Sequence, residues 1–307
     1  MSAQEQISSF QKLKLSFVDL PEAFPTAHSL QASARAHAEK EPGDAGEQGA
    51  AVVQKIGVIA LNNPPANTFS LEEVKELRRA ISVLEGDGLV RGMILTSGVD
   101  NFFTAGVDLT SFSKDEEWLK EFWIQVTELF RQMYTSRLLS VAALNGHSLA
   151  LGGVLMLACN DRYALDGNQK VKGKYKFGLN EVLVGLPLPS WLSKLLVNVV
   201  GFRNAELLGV DGLILSANDA KQYGLVDKVF ASQEELFNAS VERLRQRTKI
   251  PPSAQLATLQ YMRSEFIEEF DKTYNKHTEA FVKHIKSKET QAVLKQALKN
   301  IGSKKAN

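Results

Sequence analysis

The chain has 307 residues, of which 44% are hydrophobic and 23% charged, a composition typical of a folded globular protein rather than a disordered chain or a membrane protein. Its 36 basic and 35 acidic residues give a net charge of +1, which gives no electrostatic reason to expect a dedicated nucleic-acid-binding protein. The one cysteine, Cys159, excludes an intramolecular disulfide and a cysteine-rich zinc site, and the apolar residues before it predict a buried thiol.

Neither end of the sequence carries a recognisable targeting signal. Residues 1–10 lack the basic and apolar regions of a secretory signal and the arginines of a mitochondrial presequence. The last four residues, Lys-Lys-Ala-Asn, are not a peroxisomal signal. We expect residues 1–11 to be a flexible start. The stretch at about residues 28–52 is rich in Ala, Gly and Glu, has little to bury, and is predicted to be a mobile insertion.

The first half of the chain predicts alternating strands and helices. Apolar and β-branched residues predict strands at Lys12–Leu20 and Lys55–Leu61. Ser70 and Glu73 form a capping-box pattern, so a helix is predicted to start there and to continue through Leu84. The elements that follow are a strand at 93–96, a helix at 114–134, a strand at 138–144 and an apolar helix that ends near residue 159. This alternation indicates an α/β core with crossover connections.

After Ser190 the pattern becomes mainly helical. The signals are an N-cap at Ser216, a helix stop at Gly224 followed by a short strand, a capping box at Ser232, a break at Pro251-Pro252 and two further helices. No internal repeat is visible at the periods of solenoids or propellers. We therefore predict a core over residues 12–230 and a helical region over residues 231–307.

Three segments contain the residue types that could carry chemistry. Phe102–Leu109 and Asn145–Gly153 are turns rich in small residues that follow predicted strands, and free N–H groups at a helix start favour an anion. Each segment alone is equally consistent with an ordinary strand–helix turn. Glu181 is a carboxylate in an otherwise apolar run, and a solvated glutamate at a helix start is the alternative reading.

Taken together, these segments resemble the crotonase (enoyl-CoA hydratase/isomerase) superfamily. The resemblance extends from about residue 57 to residue 230 and continues more weakly through the helical end. The motifs that carry it are Asn63-Pro64-Pro65-Ala66-Asn67, the Ala105-Gly106 turn, the glycine-containing turn before residue 153, Cys159-Asn160-Asp161-Arg162, Gly178-Leu179-Asn180-Glu181 and Gly224-Leu225-Val226-Asp227. The run Gly178–Glu181 is similar to the mitochondrial 3,2-enoyl-CoA isomerase branch.

The resemblance implies an α/β fold, a crotonase-like spiral of ββα units with a C-terminal α-helical trimerisation region. It also implies that Glu181 is the catalytic base and that the backbone N–H groups of Val107 and Leu151 form an oxyanion hole. Apolar neighbours such as Phe177 and Leu179 are expected to raise the pKa of Glu181.

One position separates isomerases from hydratases in this superfamily. Hydratases carry a second glutamate three residues after the second oxyanion donor, and the matching residue here is Val154. An apolar side chain cannot orient a water molecule or move its proton, so single-base isomerisation of 3-enoyl-CoA in the β-oxidation of unsaturated fatty acids is favoured. The alternatives are hydration or another crotonase reaction, and a non-catalytic crotonase that binds a CoA ester or RNA.

The resemblance further implies contacts with the CoA part of the substrate. The residues expected to form them are Pro65, Ala66, Asn67, Ala105, Gly106, Gly152, Phe281, Lys286 and Lys288. The last three lie in a lysine-rich end that is also consistent with a solvated helix face. CoA belongs to the substrate, so no separate cofactor and no metal are expected. A homotrimer in mitochondria, without nucleic-acid or membrane partners, is the expected state.

Overall fold

The computed structural model describes residues 9–20, 53–167 and 173–305. Most of the predicted flexible start and all of the predicted insertion at about 28–52 lie outside these residues. The strands are β1 (Leu13–Leu20), β2 (Gln54–Leu61), β3 (Val90–Ser97), β4 (Phe102–Thr104), β5 (Leu139–Leu144), β6 (His147–Leu149), β7 (Asp161–Leu165), β8 (Phe177–Gly178) and β9 (Lys228–Phe230). The helices are α1 (Leu71–Gly86), α2 (Glu116–Thr135), α3 (Leu151–Ala158), α4 (Ser190–Val200), α5 (Phe202–Val210), α6 (Ala217–Gln222), α7 (Gln233–Thr248), α8 (Pro252–Ile285) and α9 (Lys288–Lys305). Two 3₁₀ helices span Leu109–Ser113 and Glu181–Val184.

A six-stranded sheet in the order β1-β2-β3-β5-β7-β9 forms the centre of the fold. Only its edge strand β1 is antiparallel to its neighbour, and the other pairings are parallel. Gly57 pairs with Met93, so Gly57 and Gly92 face opposite sides of the sheet. A Cβ on Gly57 would meet Leu84 of α1, and a Cβ on Gly92 would meet Leu244 of α7. Helices therefore cover both faces, as parallel sheets require.

A second, three-stranded parallel sheet has the order β4-β6-β8. The chain builds it by repeating one unit three times: β3-β4-α2, β5-β6-α3 and β7-β8-α4. In each unit the first strand joins the large sheet and the second joins the small one. The predicted α/β spiral of ββα units is confirmed. The two predicted glycine turns contain the short strands β4 and β6, which the sequence did not reveal.

The local signals at the ends of the helices are mostly confirmed. Ser70 and Ser232 both form complete capping boxes, and Ser216 caps α6. The strand predicted directly after Gly224 begins later, at Lys228, because the N–H groups of residues 225 and 226 bond back to the carbonyl of Ala220. Cys159 is buried. Within the described ranges, no helix has the length and apolar character needed to cross a membrane.

The close contact between Gly146, which precedes β6, and the start of β4 gives a stability test. A Cβ on Gly146 would lie 2.5 Å from the backbone carbonyl carbon of Asn101 and the nitrogen of Phe102, and neither atom can move without disturbing β4. We expect Gly146→Ala to lower the free energy of unfolding by about 1–3 kcal/mol, as overpacking does. Gly86→Ala is the control, because a Cβ there meets nothing within 4 Å, and it should be neutral or stabilise the protein by about 0.5–1 kcal/mol. Urea denaturation of both variants checks this; equal effects would contradict it.

Candidate active site

The three residues predicted to carry the chemistry follow the three strands of the small sheet. Val107 comes soon after β4, Leu151 soon after β6, and Glu181 soon after β8. Because the carboxyl ends of parallel strands meet at the same edge of a sheet, the three turns are neighbours in the order of the strands. The structure thus brings together three segments that span more than seventy residues of sequence.

The turn that carries Val107 is held by hydrogen bonds on both sides. The Thr104 hydroxyl accepts from Gly106 N at 2.9 Å and donates to the Asn67 carbonyl at 2.6 Å. Phe69 N donates to the Gly106 carbonyl, and the N–H of Asp108 donates to the Phe69 carbonyl. No hydrogen bond within the described part of the chain uses the N–H of Val107. This donor is fixed in place and free for a ligand.

The turn that carries Leu151 is strained. Ala150 has φ +50° and ψ −115°, a conformation that costs an L-residue about 1–3 kcal/mol. Ala150 N donates to the Gly178 carbonyl at 3.2 Å, and its own carbonyl accepts from the N–H of Gly153 at 2.7 Å. The strained residue directly precedes the Leu151 N–H, which opens α3 and takes part in no hydrogen bond among the described residues.

The two free N–H groups lie side by side because residue 106 is a glycine. Gly106 has φ +92°, and a Cβ on it would lie 2.9 Å from the Ala150 Cβ and 3.4 Å from the Leu151 nitrogen. Any larger residue would push the two turns apart. Leu151 as a whole residue is only 4% exposed, so its free N–H group is shielded from bulk water. Two adjacent donors beside the positive end of α3 suit an oxygen that becomes negatively charged.

Glu181 opens the second 3₁₀ helix, at the end of the small sheet next to this donor pair. Its Oε2 atom is buried and has no hydrogen-bond partner. Burial raises the pKa of this carboxyl to about 7, and a hydrogen bond from its own backbone N–H opposes the shift. The raised pKa agrees with the prediction from its apolar surroundings. No other charged group of the described residues contributes to the shift, so no second carboxylate acts on this one. Val154 is buried in α3.

The predicted CoA-contacting residues near the first donor have different surroundings. Pro65 is exposed, and the Ala66 carbonyl accepts from Ala105 N at 2.9 Å, which places these residues together. Asn67 is only 2% exposed, and its side chain bonds to the backbone at residue 63, to Ser97 and to the residue 103 carbonyl. Its amide therefore holds the turn to the sheet, and the predicted contact of Asn67 with CoA stays a prediction. Gly152 allows close packing, since a Cβ there would lie 2.8 Å from Ser148 Oγ.

Two of the three predicted residues of the carboxyl end, Phe281 and Lys286, lie beside the first 3₁₀ helix. Phe281 stacks on Trp123 with ring centres 3.9 Å apart and an angle of 8°, and its edge approaches Phe112. Lys286 Nζ donates to the Lys114 carbonyl at 2.6 Å, and Lys288 is exposed at the start of α9. The structure places Phe281 and Lys286 beside the 3₁₀ helix that follows the first donor, while the predicted contact of all three residues with a CoA nucleotide stays a prediction.

Two features were not found from the sequence. An apolar cavity of about 400 Å³ lies between the first 3₁₀ helix and α9, lined by residues that include Leu109, Phe112, Leu294 and Leu298. Thr290 on α9 donates a hydrogen bond to the Gly185 carbonyl at the end of the Glu181 turn, at 2.9 Å. Both features join segments that are far apart in sequence, so no local sequence pattern predicts them.

Comparisons with known proteins agree with this geometry. A family model described as "Enoyl-CoA hydratase/isomerase" matches residues 52–300. The mouse protein "Enoyl-CoA delta isomerase 1, mitochondrial" is 32% identical over 251 residues, which cover 81% of this chain and 85% of that protein. The crystal structure of human mitochondrial delta3-delta2-enoyl-CoA isomerase has a TM-score of 0.77 at 32% identity and covers 81% of this chain and 95% of that one. A short-chain-enoyl-CoA hydratase from Clostridium acetobutylicum is 28% identical over 191 residues, 61% of this chain and 70% of that protein.

The buried carboxyl makes stability depend on pH in a defined direction. Its folded-state pKa of about 7 lies above the ordinary value of 4.5, so the folded protein binds the proton more tightly and loses stability as pH rises from about 4.5 to 7. Glu181→Gln removes this loss. We expect the variant to gain up to about 3 kcal/mol over wild type between pH 5 and pH 8.

Urea denaturation at the two pH values measures this gain. Glu265→Gln, at an exposed position on α8, is the control and should differ from wild type equally at both pH values. A Glu181→Gln difference that does not change with pH would show that the carboxyl is not held in a desolvated environment.

Proposed function

The chain belongs to the enoyl-CoA hydratase/isomerase family, and on that premise we propose that it moves the double bond of a 3-enoyl-CoA to position 2 as a 3,2-trans-enoyl-CoA isomerase. The observation that carries this proposal is a single buried carboxyl, Glu181, with a raised pKa and no charged neighbour among the described residues. It lies at the same sheet edge as the free N–H groups of Val107 and Leu151. One base and two donors are sufficient for a double-bond shift.

The proposed reaction begins with proton removal from C2 of the substrate by the Glu181 carboxylate. The electron pair of the C2–H bond moves toward the thioester carbonyl and gives a dienolate with its negative charge on oxygen. The protonated Glu181 then returns the proton to C4, the double bond settles between C2 and C3, and the carbonyl reforms. The proton is conserved within the cycle, so the proposed reaction consumes no cofactor.

The N–H groups of Val107 and Leu151 would stabilise the charge that develops on the thioester oxygen. Each donor of this kind typically contributes roughly 3 kcal/mol to a transition state. The positive end of α3 adds to the same field. Because the turns are already fixed by hydrogen bonds, little reorganisation is needed when the charge appears.

The environment of Glu181 suits a base that both takes and returns a proton. Burial raises its pKa to about 7, which makes the carboxylate a stronger base than an exposed glutamate and leaves it largely ionised at slightly alkaline pH. Hydration needs a second polar group to hold and activate water. Buried Val154 at the position of the hydratase glutamate, together with the lack of a charge acting on Glu181 among the described residues, supports isomerisation over hydration.

The substrate in this proposal is an acyl-CoA thioester with an apolar tail. Leu109 and Phe112 line the apolar cavity of about 400 Å³, and they follow the Val107 donor directly in sequence. The tail could extend from the thioester into this space. The homotrimer and the mitochondrial location carry over from the resemblance and remain predictions of the proposal, as does a role in the β-oxidation of unsaturated fatty acids.

The activity itself is the first test. Purified protein mixed with trans-3-hexenoyl-CoA should produce the conjugated 2-enoyl thioester, detected by its ultraviolet absorbance. Glu181→Gln should lower kcat by about 10³-fold, because the general base is lost, while Glu265→Gln should leave kcat unchanged. A hydration assay on the 2-enoyl product should show no turnover. Hydration without isomerisation would favour the hydratase, and binding without either reaction would favour a non-catalytic crotonase.

The pH dependence tests the state of the base. Because Glu181 must be ionised to remove the C2 proton, kcat/KM should rise about tenfold per pH unit below about 7 and level off above it. The measurement is the initial rate at low substrate concentration over a pH range that extends about one unit below the ordinary glutamate value of 4.5 and up to about pH 9. An acid limb centred near the ordinary glutamate value of 4.5 would show that the base works in a solvated site.

A further inference from the structure

The corner between α8 and α9 contacts both halves of the candidate site. Lys286 Nζ donates to the Lys114 carbonyl at 2.6 Å, and Gln291 Nε2 donates to the Phe112 carbonyl at 3.4 Å. Both carbonyls lie at the 3₁₀ helix that follows the Val107 donor. On the other side, the Thr290 hydroxyl donates to the Gly185 carbonyl at 2.9 Å, at the end of the Glu181 turn. Lys286 at the end of α8, together with Thr290 and Gln291 in the first turn of α9, thus bridges the donor side and the base side.

The position of the Glu181 carboxylate depends on its backbone. No side-chain hydrogen bond to it is found among the described residues, and its Oε2 atom is without a partner. The 3₁₀ helix that carries it has no fully buried residue, and Leu183 is 54% exposed. Apolar packing of this turn is therefore limited to partly buried side chains such as Val184, which packs against the core. The turn is held by main-chain hydrogen bonds, which include Leu186 N to the Glu181 carbonyl at 3.0 Å.

Gly185 is the point where this turn is attached to α9. It ends the 3₁₀ helix with φ +77°, and a Cβ on it would lie 3.4 Å from the Thr290 Cα. Thr290 is itself only 2% exposed, so its hydroxyl has no competing water. Ser287 accepts a bond from Thr290 N at 3.2 Å and donates its own hydroxyl proton to Thr290 Oγ1 at 2.9 Å. With that lone pair occupied, the Thr290 proton is directed to the Gly185 carbonyl.

We propose that Thr290 is a positioning residue for Glu181, acting through the Gly185 carbonyl to fix the turn that aims the base. This inference rests on the proposed isomerase function. Thr290 does not touch the reacting atoms; its hydroxyl determines where the carboxylate stands. Lys286 and Gln291 attach the same corner to the 3₁₀ helix that follows Val107. The corner therefore also fixes the position of the Glu181 turn relative to the donor side.

Three variants test this role. Thr290→Val keeps the shape of the side chain and removes the hydroxyl, while Thr290→Ser keeps the hydroxyl. Thr248→Val is the matched control, because Thr248 is equally buried but its hydroxyl bonds only to the Arg245 carbonyl at the end of its own helix. We measure kcat and KM with trans-3-hexenoyl-CoA, together with hydrogen–deuterium exchange of peptides that cover residues 179–188.

The expected result separates positioning from general destabilisation. Thr290→Val should lower kcat by about 10- to 100-fold, the scale of a misplacement near 1 Å, with KM within about twofold of wild type. Exchange should accelerate at residues 181–186 and stay unchanged elsewhere. Thr290→Ser and Thr248→Val should both behave like wild type.

Two outcomes would overturn the inference. A Thr290→Val protein with wild-type kcat would show that the bond does not position the base, and an equal loss in Thr290→Ser would show that the hydroxyl is not the cause. Wild-type protein without isomerase turnover would instead overturn the proposed function. In that case the exchange at residues 181–186 would still show whether Thr290 holds the turn, so the two failures are distinguishable.

Discussion

The parallel register of β4, β6 and β8 is the constraint on which the rest of the site depends. Adjacent strands of a sheet are separated by about 4.8 Å, so the first and last of the three turns at this edge lie about 10 Å apart. The strand order places the Val107 turn first, the Leu151 turn in the middle and Glu181 last. The large sheet supports this arrangement. Each ββα unit places its first strand in the large sheet and its second strand in the small one.

The site keeps several groups in states that cost folding energy. Two backbone N–H groups and one carboxylate oxygen have no partner among the described residues, and Ala150 holds a strained conformation. At these groups, the hydrogen bonding or backbone conformation that is locally preferred differs from the one that the fold imposes. Such conflicts are typical of functional sites. The compensation lies in the surrounding network, where buried hydrogen bonds join the donor turn to Asn67 and join Asn67 in turn to Ser97.

The sequence predicted what local chemistry determines. The capping boxes at Ser70 and Ser232 and the apolar strands were found because neighbouring residues decide them. The small sheet was missed because strands of two or three residues carry no periodicity, and its repeat lies in geometry rather than in residue identity. The resemblance implies a CoA contact at Asn67, and no local pattern could show that its side chain is buried, because its hydrogen-bond partners lie in distant segments. The Thr290 contact with Gly185 joins residues 105 positions apart, which no motif within one segment can show.

The two free donors are backbone N–H groups, and this determines how the site responds to amino-acid substitution. A codon change alters the side chain of Val107 or Leu151 but leaves the N–H in place, unless the new codon specifies proline. Under the proposed mechanism, alanine substitution would therefore reveal the role of Glu181 but not the roles of the two backbone donors. Drift at positions 107 and 151 is tolerated to the extent that packing allows. A leucine can thus occupy the second donor position without any change in what its backbone offers to an oxygen.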